Sequence, residues 1–250
     1  MSEVNRPEYD GKENIITKIP EVLDRLLDIP IILAGILVLL FSLYAVLDTH
    51  AVFQGAAMDK YLAYKPEAGE AELKDLSEDA IGWLCLTDTE IDYPVMQGRT
   101  NSEYINKDPY GDYSLAGSIF LDCRNTPDFS DDYNILYGHH MAYNAMFGGL
   151  DLYRDTDYLL SHRKGKVYAG DKELELTVFS WASVNEQDPV IFEPDKKRDE
   201  VLIYLRTQAS YFREPEDGQI LALSTCSEDS PEKRTVVFGT ILKKEGRKEK

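Results

Sequence analysis

QILALSTC (219–226), SEDSPEK (227–233) and RTVVFGTILK (234–243) follow one another without a break, and how they pair decides the architecture. The outer two runs are rich in β-branched and large apolar residues, while the seven residues between them are polar and include Pro231. The stretch therefore reads as two strands joined by a loop. Antiparallel pairing across that loop lays the end of the first strand beside the start of the second, with Cys226 and Arg234 on one rim of a sheet. A guanidinium there is a permanent cation with planar donors, able to favour a nearby thiolate or hold the oxyanion of a tetrahedral intermediate. Spacing alone leaves the plainer alternative open, a strand-end Arg that solvates the sheet edge.

Six more runs upstream have the same character: WLCL (83–86), IDYPVM (91–96), GSIFLD (117–122), NILYG (134–138), KVYAG (166–170) and ELELTVFSWASV (173–184). Turn residues bound each of them. Ser102–Asn106, Ala145–Leu152 and Arg198–Phe212 read as helices between them. Eight strands with occasional helices and no βα alternation predict a mainly β fold, a largely antiparallel closed barrel, in one domain over residues 80–243. The strand ending at Gly138 presents His139 and His140. Successive residues leaving a strand point to opposite faces, so at most one of the two reaches a given thiol. Histidine exchanges protons near neutral pH and could protonate a leaving amine after thiolate attack; a metal ligand or a loop histidine remains the alternative.

Ahead of the barrel, IPIILAGILVLLFSLYAVL (29–47) is 19 residues without a charge, about 28 Å as a helix and close to the roughly 30 Å of a hydrocarbon core. YAVLDTHAVF after it offers no signal-peptidase site, so the segment reads as an uncleaved anchor. Arg6, Lys12, Lys18 and Arg25 precede the span, and the next basic residue is Lys60. The bias puts the N-terminal tail (1–28) in the cytoplasm and the remainder outside a cell membrane crossed once. Residues 48–79 read as a helical stalk and 244–250 as a basic tail.

The 250 residues carry 27 Lys and Arg against 45 Asp and Glu, a net charge of −18. The termini cancel, leaving 18 basic and 36 acidic residues in 48–242. That balance excludes a nucleic-acid footprint and suits a solvated exterior. Three cysteines, Cys85, Cys123 and Cys226, cannot all pair with one another. No metal-finger or calcium-loop spacing is present, and no cofactor is expected.

GWL (82–84), IDYPVMQG (91–98), NSEYINKDPYGDYSLAGSIFLDCRN (101–125), NILYGHHM (134–141), NAMFGGLDLYRD (144–155) and LSTC…R (223–234) together resemble a sortase of class B, over residues 80–243. The resemblance implies an eight-stranded sortase barrel and a membrane-anchored cysteine transpeptidase of Gram-positive bacteria. Cys226 would be the nucleophile, His139 the general acid and then base, and Arg234 the ligand of the substrate carbonyl. Asn101, Ile105, Ser224, Thr225 and Ser227 would line the groove, with Val190 and Ile191 joining from an insertion. The substrate would be a surface protein or pilin bearing an LPxTG- or NPQTN-like signal, cleaved after Thr. The acceptor would be an amine of a cell-wall precursor or a pilin lysine. His140, Cys85 and Cys123 carry no family role and read as structural. Ala222 departs from the pattern, since class B members usually have Thr there, and this bears on substrate preference. Two other readings use the same residues differently: a Cys–His cell-wall peptide hydrolase that never transfers, and an inactive membrane-tethered binding domain.

Overall fold

The computed structural model describes residues 15–226 and 232–243. The segments 1–14 and 244–250, and Ser227 in the loop, lie outside the described residues. Two compact units divide at His50 and Ala51. In the first, helix α1 begins; it runs over Ile15–Ala56, and its part from Asp28 is long and apolar enough to cross a membrane. From Ile29 to Leu47 its side chains are exposed, as a lipid-facing surface would be.

The second unit is the barrel and what packs on it. Its strands are β1 (Ala80–Leu86), β2 (Asp92–Met96), β3 (Ile119–Leu121), β4 (Tyr133–Tyr137), β5 (Lys164–Ala169), β6 (Lys172–Asn185), β7 (Tyr211–Phe212), β8 (Gln219–Cys226) and β9 (Lys233–Lys243). The order β5-β1-β2-β3-β4-β8-β9-β6 closes on itself through a β5–β6 pairing, and β7 adds a two-residue spur to β6. The barrel is thus eight-stranded. Two seams are parallel, β2–β3 and β4–β8, and the rest antiparallel. Both parallel seams follow long connections, which such pairing requires.

Strand alternation builds two cores. In β8, Leu221 and Leu223 point into the barrel with Val95, Leu136, Leu176 and Val237. Ile220 and Ala222 point outward, where they meet Phe179, Val236 and Phe238 under helix α4 (Arg198–Gln208). The strand is apolar on both faces because both are covered. Ala222, the departure from the family pattern, is therefore a packing residue of the outer core and does not line the cavity described below. The small side chain suits a position fully buried beneath a helix.

Local structure differs from expectation in four places. Residues 102–106 form turns, and 145–152 gives way to a 3₁₀ helix over Gly148–Arg154. The helix expected over 198–212 ends at Gln208, because Tyr211 and Phe212 pair with Trp181 and Ser180 of β6. The segment read as a stalk lies against the barrel: Tyr61 and Leu76 are buried with Trp83 and Tyr168. Only short helical turns occur there after Ala56, including Leu73–Leu76.

Candidate active site

Register assembles the site. β4 and β8 run parallel with Tyr137 opposite Ser224, so His139 and Cys226 each follow two residues beyond the same rung. On the other side, β8 pairs antiparallel with β9 and places Cys226 opposite Arg234, which in turn faces Val184 of β6. The pairing expected across residues 227–233 is the one observed. Three strand ends thus bring a histidine, a cysteine and an arginine to one rim.

At that rim opens a cavity of about 510 Å³, lined among the described residues by His139, Arg234, Asn101, Ile105, Ser224 and Thr225, together with Phe120, Arg124, Tyr137, Gly138, Glu186 and Phe192. Four of the groove residues expected from the sequence therefore meet here. Val190 and Ile191 do not: Ile191 is fully buried in the outer core with Val201 and Leu205, and Phe192 takes the cavity wall instead. The cause is the turn at Asp188, whose Oδ1 accepts from the N–H groups of both Val190 and Ile191, while Tyr133 OH donates to the Ile191 carbonyl at 2.7 Å.

The two histidines separate as alternation requires. His139 Nε2 lies 2.7 Å from the Ile105 carbonyl. A carbonyl only accepts, so this bond needs the proton on Nε2 and leaves Nδ1 as the basic nitrogen of the neutral ring. His140 turns the other way, with Nε2 2.9 Å from Asp151 Oδ2, and Thr235 donates to the other oxygen of Asp151 at 2.7 Å. That chain ties the loop after β4 to β9 beside Arg234. Gly138 lets the strand end that carries His139 lie close against the core: a Cβ there would collide with Ile119 and come within 2.8 Å of the Phe147 ring.

One wall is a charged network that sequence reasoning missed. Asp122, with no exposed side-chain surface, accepts from Arg124 Nε and Nη2 at 2.9 Å each, from Asn101 Nδ2 at 2.8 Å and from Tyr137 OH at 3.0 Å. Burial pushes the carboxyl up, but the bonds from Arg124 and Asn101 outweigh it and hold Asp122 below the usual carboxylate range. Arg124 also reaches the Phe192 carbonyl and Glu193, pinning the β6–α4 segment to the cavity wall. Asn101 is thus fixed by a buried anion. The spacing of Asp122 and Arg124, two apart at a strand end, was the available signal. Thr225 contributes a hydroxyl that is buried without a hydrogen-bond partner among the described residues.

Cys85 and Cys123 are free and half-buried away from this cavity's lining. Burial, then the Asp92 carboxylate, pushes the Cys85 thiol up and away from reactivity. Among the described residues no group of three or more His, Cys, Asp or Glu could hold a metal ion.

A family model described as the sortase domain matches residues 84–242. The chain belongs to the sortase family. This sortase is 32% identical to Sortase B of Listeria monocytogenes over 181 residues, covering 69% of this chain and 74% of that protein. Against Sortase B of Staphylococcus aureus the identity is 32% over 179 residues, with 68% and 73% covered. Among solved structures, a Streptococcus pyogenes class B sortase involved in pilus biogenesis superposes with a TM-score of 0.63 at 35% identity, covering 68% of this chain and 96% of that one. A Staphylococcus aureus sortase B–substrate complex gives 0.63 at 30%, covering 75% and 90%. The sortase is of class B, and sortases are cysteine transpeptidases.

Proposed function

We propose that this enzyme cleaves an LPxTG- or NPQTN-like sorting signal after its Thr and transfers the new carboxyl end to an amine of a cell-wall precursor or a pilin. Cys226, as thiolate, attacks the Thr carbonyl carbon. Arg234 binds that carbonyl oxygen and the oxyanion it becomes. His139 delivers a proton to the departing backbone nitrogen as the C–N bond breaks, leaving a thioester on Cys226. An acceptor amine then attacks the thioester, His139 takes its proton, and the Cys226 thiolate leaves. Asn101, Ile105, Ser224, Thr225 and Ser227 contact the signal, with Thr225 giving its unmatched hydroxyl to the bound peptide.

The observation that carries this reading is the register of three strand ends at one cavity: Cys226 opposite Arg234 on β8 and β9, with His139 beyond the parallel β4. The lining is largely apolar, with Phe120, Tyr137, Phe192 and Ile105, which suits a peptide groove that keeps water from a waiting thioester. Residues 29–47 would anchor the enzyme in the cell membrane, with 1–28 inside and 48–243 outside.

The test mixes purified enzyme, a sorting-signal peptide and triglycine, and identifies products by mass spectrometry. The ligated peptide should increase with triglycine, and Cys226→Ala should abolish both cleavage and ligation. Hydrolysed product alone at every amine concentration would establish the hydrolase instead, and undiminished activity in Cys226→Ala would remove the nucleophile.

A further inference from the structure

Glu186 lines the cavity, and among the described lining residues it is the one carboxylate. It directly follows the end of β6, and its N–H donates to the Glu232 carbonyl at 2.9 Å, extending the β6–β9 ladder by one bond. From this anchored backbone its side chain turns back to Arg234: Oε2 accepts from Nη2 at 2.7 Å. The two side chains are 36% and 23% exposed. The pair is charge-assisted and partly shielded from water.

An arginine side chain on a strand end has several rotatable bonds, and left to itself would sample many orientations. Binding a carbonyl oxygen that is about to become an oxyanion requires donors already aimed. A carboxylate on Nη2, with the Lys233 carbonyl 3.5 Å from Nη1, restrains the plane of the guanidinium. It also offsets part of the cation's charge beside the strand end that carries Cys226.

We propose that Glu186 is a positioning residue for Arg234, aiming the guanidinium at the substrate carbonyl and tempering the positive charge it presents to Cys226. The inference rests on the proposed role of Arg234. Glu186 touches neither the thiol nor the scissile bond in this scheme; it acts through the arginine.

Two consequences of replacing Glu186 run in opposite directions. Orientation is lost, so turnover falls. The opposing charge is also lost, so the Cys226 thiolate forms at lower pH. A unit charge two strand spacings away, about 10 Å, moves a thiol midpoint by about half a pH unit at a high effective dielectric. Among the described residues, the other charged or titratable groups facing the cavity are Tyr137 of β4, His139 just beyond it, Arg124 from the segment after β3 and Arg234 from β9, and the substitution leaves their own charges unchanged. A merely structural role would move neither quantity in this pattern.

The experiment uses the full chain in detergent and compares Glu186→Gln, Glu186→Asp and Arg234→Ala. It measures kcat and KM for a sorting-signal peptide with triglycine, and the pH dependence of Cys226 alkylation by iodoacetamide, mapped by mass spectrometry to separate it from Cys85 and Cys123. For Glu186→Gln we expect kcat to fall about tenfold with KM within about twofold, and the alkylation midpoint to drop by about half a pH unit. Glu186→Asp should recover part of kcat. If Glu186→Gln matches the wild type in kcat and midpoint while Arg234→Ala is inactive, the inference on Glu186 is overturned and the proposed function stands. An active Arg234→Ala would overturn the proposed role of Arg234 itself. A rise in KM with unchanged kcat would put Glu186 in direct substrate contact and also overturn the positioning role. Should thermal melting show that Glu186→Gln does not fold, Glu186→Asp decides alone, by lowered kcat at unchanged KM or by wild-type kinetics.

Discussion

Replacing Arg124 by Leu should weaken the fold through a residue it leaves behind. Asp122 has no exposed side-chain surface, and Arg124 supplies two of its side-chain donors, both at 2.9 Å. Removing one partner of a buried ion pair costs about 3–5 kcal/mol. Here Asn101 and Tyr137 still donate to the carboxylate, and Arg124 is 46% exposed, so water reaches the vacated side. The expected loss is about 2–3 kcal/mol, or roughly 4–12 °C in Tm for a domain of this size. pH supplies the signature. With Arg124 present, the folded-state pKa of Asp122 is depressed, so its stabilisation is present above the ordinary carboxylate value and lost as pH falls through the folded pKa. Without Arg124, burial dominates and raises that pKa. The deficit of Arg124→Leu should therefore be largest near neutrality and narrow as pH falls toward about 4. The double variant Asp122→Asn/Arg124→Leu should be more stable at pH 7 than Arg124→Leu alone. Denaturant unfolding of the wild type, Asp122→Asn, Arg124→Leu and the double variant at several pH values makes the comparison. A deficit independent of pH, or a double variant showing the sum of the two single losses, would refute the reasoning.

Other outcomes follow from the same coordinates. Ile191→Ala should cost about 2–4 kcal/mol in denaturant unfolding, since its side chain is wholly inside the outer core, while peptide KM shifts less than about threefold. Tyr133→Phe should lose about 1–2 kcal/mol by leaving the buried Ile191 carbonyl without its donor, read as a lower urea midpoint at an unchanged slope. Gly138→Ala should lower kcat about tenfold or more in the peptide-transfer assay, because the added methyl meets Ile119 and Phe147 and displaces the strand end that carries His139.

All eight barrel strands were legible because each is a short apolar or β-branched run between turn residues, and period-two alternation did not have to be resolved to find them. The two parallel seams were not legible: which strands pair across connections of 22 and 81 residues depends on how the barrel closes, not on either strand's composition. Cys226 and Arg234 could be paired from sequence since one loop joins their strands, and His139 could be proposed from chemistry. Ile191 was misplaced because an apolar residue in an insertion reads the same whether it faces a groove or a core; the Asp188 turn that buries it is visible only in three dimensions. Asp122 and Glu186 were passed over as part of a general acidity and Arg124 was given no role, although each has a definite partner.

The parallel seam between β4 and β8 has a consequence for how activity is acquired. Tyr137 and Ser224 are 87 positions apart along the chain, and the reactive rim exists only where their strands lie side by side. Every residue from Gly138 to Gly218 must be threaded round the barrel before that neighbour relation forms, and such distant closure is the slow kind in folding. While the ring is still open, the chain holds Cys226 with no histidine beside it. The neighbour relation between His139 and Cys226 therefore forms late, as a report that the ring has closed.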